Sequence, residues 1–111
     1  MMSGQDLISE LGAKVEMTDK ALRELGARGR AYAQAERDYR VALSQKILEE
    51  REKGLPATLI GDICRGNKQI AALKFERDVA ETVYKSALEA INVYKLQIRV
   101  LENTIEREYH G

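Results

Sequence analysis

The side chains with the widest chemical reach are few: one cysteine, Cys64, one histidine, His110, and five tyrosines in 111 residues without a tryptophan. A catalytic nucleophile needs a base beside it, and a metal needs convergent His, Cys and carboxylate ligands. Cys64 falls among Leu59, Ile60 and Ile63, on what reads as the apolar face of a short helix, and this suits a buried structural thiol. His110 stands in a C-terminal stretch expected to fray. There is no phosphate-binding P-loop, no dinucleotide fingerprint and no strand to carry either. The expectation is a protein that is not an enzyme and has neither a metal site nor a cofactor.

Anion binding is the chemistry that the residue types do offer. Arg65-Gly66-Asn67-Lys68 sets two cations and a glycine at the start of the last helix, where unpaired N–H groups and the helix dipole favour phosphate. Arg28 and Arg30 flank Gly29 on a backbone loosened by glycine. Arg28 lies about 37 Å from the chain's bend at 1.5 Å per residue, so one hairpin cannot join the two sets, whereas an antiparallel dimer can. Arg77 interrupts an apolar seam, where an unpaired guanidinium is costly. It should pair with Glu36 or Glu50, or else line a cavity for an anionic ligand. Tyr32, Tyr39, Tyr84 and Tyr94 also fall on seam positions and read as core, with base stacking the alternative. Arg28, Arg30, Arg65, Lys68, Arg77 and Tyr84 are therefore the candidate ligand-binding residues.

The elements that must position them are helices. Leu7, Ile8, Leu11 and Val15 predict a short amphipathic helix over 5–17, with Thr18 and Asp19 as the cap of a longer one over 19–53. That helix carries Leu22, Leu25, Tyr32, Ala35, Tyr39, Ala42, Leu43 and Ile47 on its seam. Its weak stretch is 26–30, where two glycines cost about 1 kcal/mol each relative to alanine, and a kink or break is expected there. Gly54-Leu55-Pro56 is the one strong breaker, with Gly54 just past a helix end and Pro56 in the first turn of the next. A short helix follows over 57–65, ending at Gly66. Asn67 then caps a long helix over 68–109.

In that last helix Ile70, Leu73, Tyr84, Ile91, Tyr94, Ile98, Leu101 and Ile105 recur in coiled-coil fashion and form the expected oligomer seam. Val79, Val83, Ala90, Val93 and Val100 widen the apolar arc to about 160°, beyond what one antiparallel partner covers. The fold class is all-α: one helical domain over 1–111, a long coiled-coil-like hairpin with a short helix at its bend, assembling as a homo-oligomeric helical bundle.

The 18 basic and 18 acidic residues cancel. They divide evenly about the Lys53–Gly54 boundary, so neither half is a basic tail or an acidic mimic of nucleic acid. Asp19/Arg23, Glu24/Arg28, Glu36/Arg40 and Glu81/Lys85 are acidic-first pairs at i, i+4, the spacing that supports a solvated helix face. A single cysteine, a start without a secretory pattern and no apolar run of membrane-spanning length together predict a cytoplasmic protein without a membrane partner.

The stretches Gly54-Leu55-Pro56-Ala57-Thr58-Leu59-Ile60, Lys74-Phe75-Glu76-Arg77-Asp78-Val79-Ala80-Glu81, Tyr84-Lys85-Ser86-Ala87 and Leu96-Gln97-Ile98-Arg99-Val100-Leu101-Glu102 resemble a family of small helical proteins from phages and prophages of Gram-positive bacteria. The resemblance covers roughly the second half of the chain and carries no catalytic motif. It implies an early-gene setting in the cytosol of a bacterial host, among DNA recombination, replication and anti-defence functions. The absence of tryptophan at the bend separates the chain from the similarly sized hairpin proteins of type VII secretion. The expected function is that of a non-catalytic accessory protein, binding stoichiometrically as a homo-oligomer. Its role would be anti-defence, either sequestering an anionic nucleotide signal or blocking a host defence protein. The alternatives are an accessory to phage recombination or replication that binds single-stranded DNA or a recombinase, and a purely structural coiled-coil adaptor.

Overall fold

A computed structural model describes residues 3–110 and builds them from three α-helices: α1 (Gly4–Glu52), α2 (Ala57–Gly66) and α3 (Lys68–His110). The described residues contain no strand. The helices divide between two compact units, one holding residues 3–27 and 85–110, the other residues 28–84.

The first helix starts within one residue of its expected position but does not stop where a cap is expected. At its start the Asp6 N–H donates to Ser3 Oγ at 3.1 Å and the Ser3 N–H donates to Asp6 Oδ2 at 3.3 Å, a reciprocal capping box. Thr18 caps nothing. It is buried, and its hydroxyl donates back to the Lys14 carbonyl at 2.8 Å, the inward bond open to a threonine within a helix. The segments expected over 5–17 and 19–53 are thus one helix, which also runs through Gly26 and Gly29 without a break.

In the first unit α1 and α3 run antiparallel. Glu10 and Lys14 share a depression with Leu96, Val100 and Leu101, while Ile8 and Leu11 share another with Ile105 and Tyr109. Leu7 and Ile91 are its buried apolar residues. Gly4 permits the Tyr109 ring to close on α1, since a Cβ there would lie 2.7 Å from the tyrosine hydroxyl.

In the second unit the remainder of α1 runs antiparallel to the start of α3, and α2 joins them at the bend. Leaving α1, the Gly54 N–H donates to the Arg51 carbonyl at 2.9 Å and the Leu55 N–H to the Glu50 carbonyl at 3.4 Å. This is the Schellman pattern, and it requires the positive φ of 81° that Gly54 supplies. Pro56 (φ −63°, ψ 144°) precedes α2, and its carbonyl accepts from the N–H groups of Leu59 and Ile60. Between α2 and α3 stands Asn67 alone. Its N–H donates to the Cys64 carbonyl at 3.2 Å and its side-chain oxygen accepts from the Ile70 N–H at 3.0 Å, so one residue closes one helix and caps the next.

Ile60, Cys64 and Ile70 form the buried apolar centre of this unit, whereas Leu59 and Ile63, expected on the same face of α2, are turned outward. The fully turned burial of α2 is therefore narrower than its composition. Leu22, expected on the α1 seam, is 49% exposed. Buried beside the bend is Glu50, whose Oε1 accepts from Lys46 and Lys53, each at 3.1 Å. The Lys46 hydrogen bond first, and the Lys53 hydrogen bond next, hold its carboxyl below the usual glutamate range, and Glu50 in turn raises Lys46.

Candidate functional site

Two arrangements of side chains in the second unit combine charge with aromatic or apolar surface. The first is centred on Arg77. Its Nη1 donates to Glu36 Oε2 at 3.0 Å, its Nε donates to Asp78 Oδ1 at 2.9 Å, and its guanidinium carbon sits 4.9 Å from the centre of the Tyr39 ring. Glu36 also binds Arg40 one turn along α1. The hydrogen bonds from Arg40 and then Arg77 keep the Glu36 carboxyl below its ordinary range, while Glu36 holds Arg77 more firmly in its charged form. Further along the pair of helices the Tyr32 hydroxyl donates to Glu81 Oε2 at 3.1 Å, and the Tyr32 and Tyr84 rings lie 6.1 Å apart at 35°. Gly29 faces the edge of Tyr84. These contacts tie α1 to α3 and fix their register.

The second arrangement is a groove of about 840 Å³ where the three helices meet. Its floor is aliphatic, formed by Leu43 and Ile47 of α1, Ile60 and Cys64 of α2 and Ile70 of α3. Three cations line it, one from each helix: Arg51, Arg65 and Lys74. Tyr39, Phe75 and Asp78 complete one end. Arg51 is on this face because it follows Tyr39, Leu43 and Ile47 at steps of four along α1. Arg65 pairs with Asp62 one turn back on α2, an exposed and therefore weak pair, and Asp78 is engaged by Arg77. Arg51 and Lys74 have no carboxylate within 4.0 Å among the described residues. The volume falls in the range of small-molecule sites, and an apolar floor with a few charges at its edge is their usual chemistry.

Of the residues expected to bind a ligand, Arg65 lines this groove. Lys68 does not, although it opens α3 beside it. Arg77 is taken up by Glu36 and Asp78, the pairing expected of a guanidinium on a seam, with Glu36 as its partner rather than Glu50. Tyr84 packs by Tyr32 and Gly29, away from the groove. Arg28 and Arg30 lie on exposed turns of α1 near Gly29, and Arg28 has a partner of its own. The structure therefore does not bring the six together within one chain. Arg51, Lys74 and Phe75 are the residues that sequence reasoning missed: Arg51 reads as part of a charged run and Lys74 as part of the solvated face of α3.

The expected oligomer seam faces α1 of the same chain. Ile70 and Ile91 are 5% and 4% exposed, and Leu73, Tyr84, Tyr94, Ile98, Leu101 and Ile105 are half-buried. The apolar surface that remains on α3 lies beside that seam. Among the described residues no cluster of His, Cys, Asp and Glu has metal-holding geometry, and no helix is long and apolar enough to cross a membrane. Compared with known proteins, the chain matches no family, no curated sequence and no solved structure.

Proposed function

We propose that this chain is a non-catalytic accessory protein that acts by stoichiometric binding as a homo-oligomer, with an anionic, nucleotide-sized signal as its ligand. In the phage setting that the sequence resemblance implies, its role is anti-defence in the cytosol of a bacterial host, where removing the signal silences the response that depends on it.

The observation that carries this reading is the surface left uncovered. Large apolar side chains stand exposed on α3: Phe75, Val79 and Val83 in the second unit, and Val93, Leu96 and Val100 in the first, with Phe75 64% and Val100 62% exposed. Large exposed apolar side chains at helical spacing mark an association surface, and a second copy with equal numbers of acidic and basic residues approaches without net repulsion.

Native mass spectrometry of the protein as purified from cells tests this. The expected result is a homo-oligomer carrying a nucleotide-sized mass in fixed stoichiometry. A monomer at all concentrations, with no adduct, overturns the proposal. A clean oligomer without adduct moves the ligand from a small molecule to a host defence protein.

A further inference from the structure

We infer that the groove between α1, α2 and α3 is a binding site for a phosphorylated small molecule with an apolar body. The inference deepens the proposed function by giving the anionic ligand a place, and it rests on that reading for the ligand's biological meaning but not for its chemistry.

Leu43, Ile47, Ile60, Cys64 and Ile70 offer an aliphatic floor that water covers poorly. Arg51, Arg65 and Lys74 line it, each from a different helix, and give the apolar floor a cationic edge. Arg65 is held by the exposed Asp62, and the groove's own carboxylate, Asp78, is already bound by Arg77. The site thus keeps a net positive edge without a strong internal competitor. Arginine donates in a planar fork suited to phosphate oxygens, and lysine adds a compact charge. A phosphate on this edge leaves the rest of the molecule against the floor, with the exposed Phe75 ring at one end. A wholly polar anion wastes the floor, and a neutral hydrocarbon leaves the cations unused. Two sources share the required chemistry, a nucleoside phosphate and an alkyl or lipid phosphate.

Isothermal titration of the intact protein with decyl phosphate, kept below its micelle concentration, and separately with ATP and cyclic AMP, tests the site. At least one of these probes is expected to bind saturably. Combined Arg51→Gln and Lys74→Gln substitutions should weaken binding about tenfold or more, since both lost contacts are charge-assisted. Ala71→Trp, which fills the groove without touching its charges, should abolish binding. Helical content should stay as in the parent, because all three positions are exposed. If decyl phosphate binds and the nucleotides do not, the groove stands and the nucleotide reading of the function falls. Failure of every probe to bind, or binding that survives both kinds of variant, overturns the inference.

Discussion

Replacing Gly26 by alanine should make the protein more stable. Gly26 lies inside α1, its φ is not in the left-handed region, and a Cβ built on it meets nothing within 4 Å. Alanine there removes the cost of restricting glycine and adds no clash, a gain of about 1 kcal/mol. Gly12 is in the same position, with open space where its Cβ would go. Gly12 and Gly26 are about 21 Å apart along the helix, so their effects should add to about 2 kcal/mol. For a chain near this size that is a rise in Tm of roughly 8–15 °C. Thermal and urea melts followed by far-UV circular dichroism measure it, and an unchanged m-value shows that folded-state compactness is preserved. The assay also bears on function. If Gly26→Ala lowers stability or dissociates an oligomer, the space beside Gly26 is filled by a second copy whose helix crosses too closely for a methyl group, and the premise of open surface there is wrong.

Two other expectations follow from the bend and the network beside it. Glu36 and Glu50 have folded-state pKa values below their ordinary 4.5, so the stability they contribute is complete above that value and is lost as pH falls through it and below. Glu36→Gln with Glu50→Gln should lower stability at neutral pH and flatten its acid dependence; a parent-like acid limb in the double variant would contradict the assignment. Asn67→Ala should cost about 1 kcal/mol, within the 0.5–2 kcal/mol range for lost caps, through release of the Ile70 N–H, whereas Asn67→Asp should retain most of that stability in the same melts.

How far the amino-acid sequence announces this architecture depends on the range of each signal. Gly54-Leu55-Pro56 and Asn67 act through their own backbone and immediate neighbours, and each does what its residue type predicts. The Arg77–Glu36 pair was also readable, because a guanidinium on an apolar seam must find a carboxylate and Glu36 falls on the seam side of the facing helix. Thr18-Asp19 misled because the same threonine oxygen serves as a cap or bonds back four residues within a helix. The choice falls to packing, which here buries Thr18. The groove was illegible for a different reason. Arg51 and Lys74 sit at ordinary positions on solvated faces, and nothing near either in the sequence says that α2 folds between them. Of its three cations Arg65 alone was singled out, by its place at a helix junction rather than by the cavity it lines.

The single-residue joint at Asn67 has a consequence for how this chain tolerates change. Most connections between helices absorb an inserted or deleted residue as slack. Here the Cys64 carbonyl and the Ile70 N–H are both claimed by Asn67, so the junction has no loop to lengthen. One residue more, accommodated by extending α2, turns that helix by about 100° relative to α3. Cys64 and Ile60 would leave the buried centre, and Arg65 would leave the groove. Length at this joint is therefore as much a determinant of the site as the identity of the side chains that line it.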